Sequence, residues 1–265
     1  MRKKFFIFAL QLGKKAMDDD LFALSNELAY KILLSFFPFL VFLVSLLGFL
    51  RLEDSPVVAE LFETLPEDVS AMIENFISGI QAQPSRGLLS ASLLVSIYSA
   101  SNGFRAIIKG INKAHGQKDD RSWIKNTGLC AVLMLIFTFS ILVMLSLWIF
   151  SNAIFSRLPY HFISARLISA IIALVILTVT TALMYRLTCA RRIRGRILPG
   201  ACATVALWAI SSNIFAVFIG HFSNISVFYG SIAGVFILIM WLNLISFFLL
   251  LGNSVNALLD KRSKQ

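Results

Sequence analysis

Six apolar stretches, at residues 28–50, 88–108, 127–150, 165–187, 199–219 and 228–251, are separated by connections whose charge alternates in sign. Each is close to the roughly 20 residues that a helix rising about 1.5 Å per residue needs to cross about 30 Å of hydrocarbon. With 58% hydrophobic against 14% charged residues, a chain of 265 residues has more apolar side chains than one water-facing domain can hide, and lipid is the solvent that accepts them. The sequence therefore predicts an all-α, polytopic membrane protein with six transmembrane helices. The first stretch is too long for the apolar part of a signal peptide, starts well inside the chain and is followed by no small-residue cleavage pattern. It is expected to remain as the first span.

Orientation follows from the Lys and Arg residues, which the positive-inside rule places in the cytoplasm. All but four of the 24 basic residues fall in the amino-terminal segment and the entry of the first span, in the second-to-third and fourth-to-fifth connections with their flanking span ends, or in the tail. The exceptions, Arg51, Arg86, Arg157 and Arg166, share their side with the acids Glu53, Asp54, Glu60, Glu63, Glu67, Asp68 and Glu74. Both termini are thus expected in the cytoplasm. Topology accounts for the net charge of +10 without a nucleic-acid partner, whose recognition wants exposed aromatics among the basic residues. The basic connections are instead expected to attract anionic lipid.

Enzymatic chemistry finds little support. Cys130, Cys189 and Cys202 lie in or at the ends of spans with no disulfide framework or metal-ligand spacing. His115 is expected on the cytoplasmic side and His161 and His221 on the outer one, so they do not converge on a metal. No nucleotide-binding loop is present, and neither cofactor nor metal is expected.

The organisation read from the chain is a cytoplasmic amphipathic segment at 1–27, a six-helix transmembrane domain at 28–259 and a basic cytoplasmic tail at 260–265. In the first, Phe5, Phe6, Phe8, Leu10 and Leu12 beside Lys14 and Lys15 suit a helix at the headgroup boundary. The run Asp18 to Asp20 suits the positive amino end of a second helical segment. Within the external connection 51–86, Pro66 opens a segment in which Val69, Met72, Ile73, Phe76, Ile77 and Ile80 recur at helical spacing. An amphipathic extracytoplasmic helix is expected there.

Polar residues in or beside spans are costly. Glu27 and Lys31, four apart, pair on one helix face as either a structural ion pair or a transport site. Pro38 removes a backbone bond and kinks its helix, and Ser35 can satisfy a freed carbonyl. The second stretch ends in Ser101, Asn102, Arg105, Lys109 and Asn112. Ser101, Arg105, Lys109 and Asn112 share a stripe. Either this stripe lines a cleft open to the cytoplasm, or its cations snorkel to the inner headgroups. Ser99 with Gly103, and Gly230 with Gly234, are small residues four apart that permit close helix contact, within one bundle or between copies.

The run Leu28 to Pro38 (LAYKILLSFFP), the run Tyr98 to Gly103 leading to Asn112, Pro199-Gly200 with Trp208, and Tyr229-Gly230 followed by Trp241 and Leu251-Gly252 resemble the YihY/virulence factor BrkB family of bacterial inner-membrane proteins. The correspondence runs over about 28–259. It implies a six-span protein of poorly established activity, once labelled ribonuclease BN, with other members linked to serum resistance or envelope lipid export. The family pattern points to Tyr30, Ser35, Pro38, Ser99, Ser101, Gly103, Asn112, Pro199, Gly200, Tyr229, Gly230, Trp241 and Gly252. The chain departs from it at Tyr98, where many members have tryptophan, and at Ser254, where they often have glutamate. A mechanism needing that carboxylate is in doubt here, although Asn253 and Asn256 keep the region polar.

Two functions of different class follow. One is transport or flipping of an anionic lipid or other envelope amphiphile, with Arg105 and Lys109 offered to a phosphate. The other is a non-transporting scaffold for envelope assembly, with a second copy or envelope-assembly proteins as partners. Ribonuclease action has no cytoplasmic cluster of acids or histidines behind it. A channel is weaker still, without charged rings or paired broken helices.

Overall fold

The computed structural model of the chain describes residues 2–50, 86–149, 165–190, 197–221 and 231–262. Among them every regular element is a helix: α1 (Arg2–Asp18), α2 (Leu21–Leu50), α3 (Arg86–Ala114), α4 (Trp123–Ile149), α5 (Ala165–Thr188), α6 (Leu198–His221) and α7 (Ser231–Arg262). The helix expected in 51–86, and Tyr229 and Gly230, lie outside the described residues, as do the side chains of Pro38 and Ser99. Among the described residues, four helices are long and apolar enough to cross a membrane, over Trp123–Met144, Leu167–Thr188, Leu198–Phe218 and Phe236–Lys261. They present Leu135, Phe139, Ile171, Ile214 and Phe236 outward, a surface that suits lipid rather than water. Several of their polar side chains turn inward instead, as where the Ser140 and Thr180 hydroxyls meet at 2.6 Å between α4 and α5.

The chain forms two compact units, residues 1–32 with 103–265, and residues 33–102. The second holds most of α2, which runs through Pro38 as one helix, and the first half of α3. In the first, α4 packs on α5, α5 on α6 and α6 on α7, with α1 against α7. Its core joins Leu28, Ile111, Leu133, Tyr185, Ala201 and Leu249, so that α2 to α7 each contribute a side chain.

Three local features place the polar end of this unit. First, α1 stops at Asp18, and Asp20 takes a positive φ of 53°, a conformation that Asp tolerates better than most side chains. The helix carrying the first apolar stretch therefore begins at Leu21, ahead of that stretch, and Glu27 and Lys31 sit inside it. Ala16, Leu21 and Leu24 pack on Leu250, and Phe22 stacks on Phe247 with ring centroids 4.7 Å apart, which seats the start of α2 on α7.

Second, α3 ends in a Schellman arrangement. Gln117 N donates to Asn112 O at 2.9 Å and Gly116 N to Lys113 O at 2.9 Å, with Gly116 at φ 63°, a left-handed position that glycine occupies without a Cβ penalty.

Third, α6 and α7 cross at Gly200 and Gly252. A Cβ on Gly200 would lie 2.2 Å from Gly252 O, and one on Gly252 would lie 2.6 Å from Gly200 O. Pro199 stands in the first turn of α6, where its missing N–H costs nothing. The next free N–H, that of Gly200, donates to Asn256 Oδ1 of α7 at 2.7 Å. No such approach is seen at Gly103 or Gly234, where no described atom lies within 4 Å of a built Cβ.

Candidate functional site

A groove of about 580 Å³ opens beside the last turns of α3 and the connection to α4. Arg105, Lys109, Lys113 and Lys118 supply its four cations, and Asp119 is its one carboxylate. The first three sit on α3 at four-residue spacing, which stacks them on one helix face. The turn at Gly116 then carries Gln117, Lys118 and Asp119 round to the groove.

Each of these residues is held differently. Arg105 Nη2 donates to Thr127 Oγ1 at 3.1 Å, and its guanidinium lies 5.7 Å from the centre of the exposed Trp123 ring. That contact adds cation–π attraction. Lys109 Nζ lies 2.9 Å from Glu27 Oε2, and Lys113 Nζ 2.9 Å from Asp20 Oδ2. Asp119 is fixed more firmly, accepting from Arg121 N at 3.3 Å and from Asn126 Nδ2 at 3.0 Å. Asn126 lines the groove, and its Oδ1 is buried with no described partner.

The expected pair of Glu27 and Lys31 is present at 2.7 Å, and Glu27 is shared with Lys109, an interhelical partner that the four-residue rule does not contain. Hydrogen bonds from Lys31 and then Lys109 hold the Glu27 carboxyl below the ordinary carboxylate range. Whatever stability that shift contributes is present above the ordinary value of about 4.3 and is lost as pH falls through the lowered one.

Asn112 lines the groove, but its amide is committed to holding the helices together. Its Nδ2 donates to Ile108 O at 2.9 Å and to Thr188 O at 3.2 Å, and its Oδ1 accepts from Ala190 N at 2.7 Å. It straps the end of α3 to the end of α5. Of the expected stripe, Arg105, Lys109 and Asn112 meet at the groove. Ser101, which is buried, and Asn102 lie in the 33–102 unit and are not among the residues lining it. Tyr30 is exposed on α2, Ser35 is half-buried, and Trp241 is half-buried on α7.

A set of interior polar contacts was only partly read in the sequence, which marked Asn253 as polar and Trp208 by the family pattern but gave neither a partner. Tyr185 OH donates to Leu249 O at 2.5 Å and meets Thr204 Oγ1 at 2.7 Å. Asn253 Nδ2 donates to Ile111 O at 3.2 Å, and its Oδ1 lies 3.2 Å from His115 Nε2. Arg121 Nη2 donates to Cys189 O at 2.6 Å and Leu187 O at 3.3 Å, satisfying the carbonyl end of α5. Trp208 Nε1 donates to Ile245 O at 2.9 Å. The signal for these residues was their polarity inside apolar stretches; Arg121 had counted only as topological charge. Ser254, which stands where the resemblance suggests glutamate, is fully buried and donates back to Leu250 O at 3.1 Å.

Outward-facing apolar helices around an interior strapped by hydrogen bonds, with a cationic groove at the end of α3, define a helical membrane protein. The family model for virulence factor BrkB matches residues 12–265, and the chain belongs to that family. A Bacillus subtilis (strain 168) relative named as a ribonuclease-like protein, YfkH, is 34% identical over 250 residues, which cover 91% of this chain and 90% of the relative. No solved structure matches the chain.

Proposed function

We propose that this protein moves, or hands across the membrane, an anionic lipid or another envelope amphiphile whose phosphate sits in the groove beside α3. The observation that carries this reading is the set of four cations facing one groove, among which Arg105 has no carboxylate partner among the described residues. Lipid handling needs a polar place for the headgroup beside an apolar one for the tails. Exposed Trp123 and Ile124 at the start of α4 put apolar surface next to Arg105.

The topology that goes with this reading is six spans in the bacterial cytoplasmic membrane, both termini inside and the groove facing the inner leaflet. Reporter fusions at residue 265 and within 51–86 test it: activity of a cytoplasm-only reporter is expected at the first and none at the second. The reverse pattern overturns the topology.

Nuclease action, suggested by the relative's printed name, is not part of the reading. Among the described residues no three His, Cys, Asp or Glu side chains are grouped to hold a metal ion. The competing reading is a non-transporting scaffold. The test is translocation of headgroup-labelled anionic lipid in liposomes carrying the purified protein, comparing wild type with Arg105→Ala at matched insertion. A fall of about tenfold is expected, the scale of losing a charge-assisted hydrogen bond, while Thr127→Val, which removes only the supporting hydroxyl, falls less. Equal rates in wild type and Arg105→Ala, or no movement by wild type, reject transport through this groove and favour the scaffold.

A further inference from the structure

Two of the groove's four cations are already neutralised, and by carboxylates that do not line it. Glu27 and Asp20 reach Lys109 and Lys113 from the start of α2, each at 2.9 Å. Both contacts are open to solvent, with side-chain exposures of 61% for Lys109 and 69% for Asp20, so each is weak and exchangeable. Asp119, 17% exposed and bonded to Arg121 N and Asn126 Nδ2, is the contrasting fixed acid.

Both exchangeable carboxylates also have somewhere to go. Glu27 keeps Lys31 at 2.7 Å when Lys109 leaves, and Asp20 returns to water. The start of α2 does not depend on these pairs, because Leu21 and Leu24 on Leu250 and the Phe22–Phe247 stack hold it.

We propose that Glu27 and Asp20 are internal competitors for the groove's lysines, and that the groove therefore selects a phosphomonoester over a phosphodiester. Displacing both carboxylates removes two negative charges from Lys109 and Lys113. A phosphomonoester, carrying about −1.5 to −2 at pH 7, restores both, whereas a diester, with one charge, restores half. The proposal rests on the headgroup reading of the groove and adds to it the charge state of the ligand.

The experiment is displacement of fluorescent phosphatidic acid from the full-length protein in neutral detergent, by phosphatidic acid, phosphatidylglycerol and glycerol 3-phosphate. In wild type, phosphatidic acid is expected to compete at lower concentration than phosphatidylglycerol. Glu27→Gln and Asp20→Asn are each expected to strengthen phosphatidylglycerol by about two- to fivefold, the range of an exposed ion pair, and so to narrow the gap.

A gap that the substitutions leave unchanged, or variants that weaken both lipids, would falsify the competitor role and leave the headgroup reading standing. No binding of the labelled lipid by wild type or either variant removes both. Competition by glycerol 3-phosphate equal to that of phosphatidic acid keeps the monoester preference and identifies a soluble ester as the source; competition by the lipid alone identifies the membrane. Should one variant fail to fold, the other carries the comparison.

Discussion

Gly252→Ala is expected to destabilise the protein by about 3 kcal/mol or more, the upper end of the overpacking range. The added methyl would stand 1.8 Å from Thr204 Oγ1 and 2.6 Å from the Gly200 carbonyl oxygen. Neither atom yields easily. Thr204 Oγ1 is bonded to Gly200 O at 3.0 Å and to the Tyr185 hydroxyl at 2.7 Å, and the Gly200 oxygen belongs to the backbone of α6. Relief requires α6 and α7 to separate, which also stretches the bond from Gly200 N to Asn256. Gly110→Ala is the control. The three atoms nearest its Cβ would all belong to the Leu250 side chain, the first at 2.6 Å from Cδ2, the far end of a side chain rather than a helix backbone. Thermal unfolding of the two variants in the same detergent should show a large loss for the first and a clearly smaller one for the second. Equal losses would mean that the glycine crossing is not where the two helices lock.

Asn112→Ala is expected to cost about 2–4 kcal/mol, from removing three hydrogen bonds, two of them buried, and taking the amide partner from the Ala190 N–H and the Thr188 carbonyl. Asn112 is itself 1% exposed, so its amide is withdrawn from solvent where it meets Ile108 and Thr188. Lys109→Ala, on the same helix face but exposed, should change stability by less than about 1 kcal/mol. Denaturant unfolding of both variants checks the contrast. A mild Asn112→Ala would return that residue to the set of groove side chains free to meet a ligand.

The contrast between those neighbours shows where sequence reasoning stops. Four-residue spacing put Arg105, Lys109 and Asn112 on one face of α3, and the structure lines one groove with all three. Their different duties depend on what stands opposite. Asn112 faces the end of α5, where it bonds the Thr188 carbonyl and the Ala190 N–H just beyond it. Lys109 faces Glu27, distant in sequence but adjacent in the fold. The same limit applies to the glycines. Gly103 and Gly252 are equal as letters, yet only Gly252 meets another helix backbone among the described residues.

Short-range pairing was legible. Glu27 with Lys31 follows from helical periodicity alone and is found at 2.7 Å. The capture of Glu27 by a second lysine was not, because an interhelical ion pair has no spacing rule. Nor did the acids at the end of α1 announce that Asp20 would take a positive φ and face Lys113.

By itself the sequence determined that the chain is helical, that long apolar helices carry it and that its cations gather in a few segments, because hydrocarbon thickness and helical rise act on composition and period alone. Only the tertiary structure decided which polar residues are straps and which are free to meet a ligand. That distinction depends on which backbone carbonyl, amide or carboxylate a distant helix brings within about 3 Å.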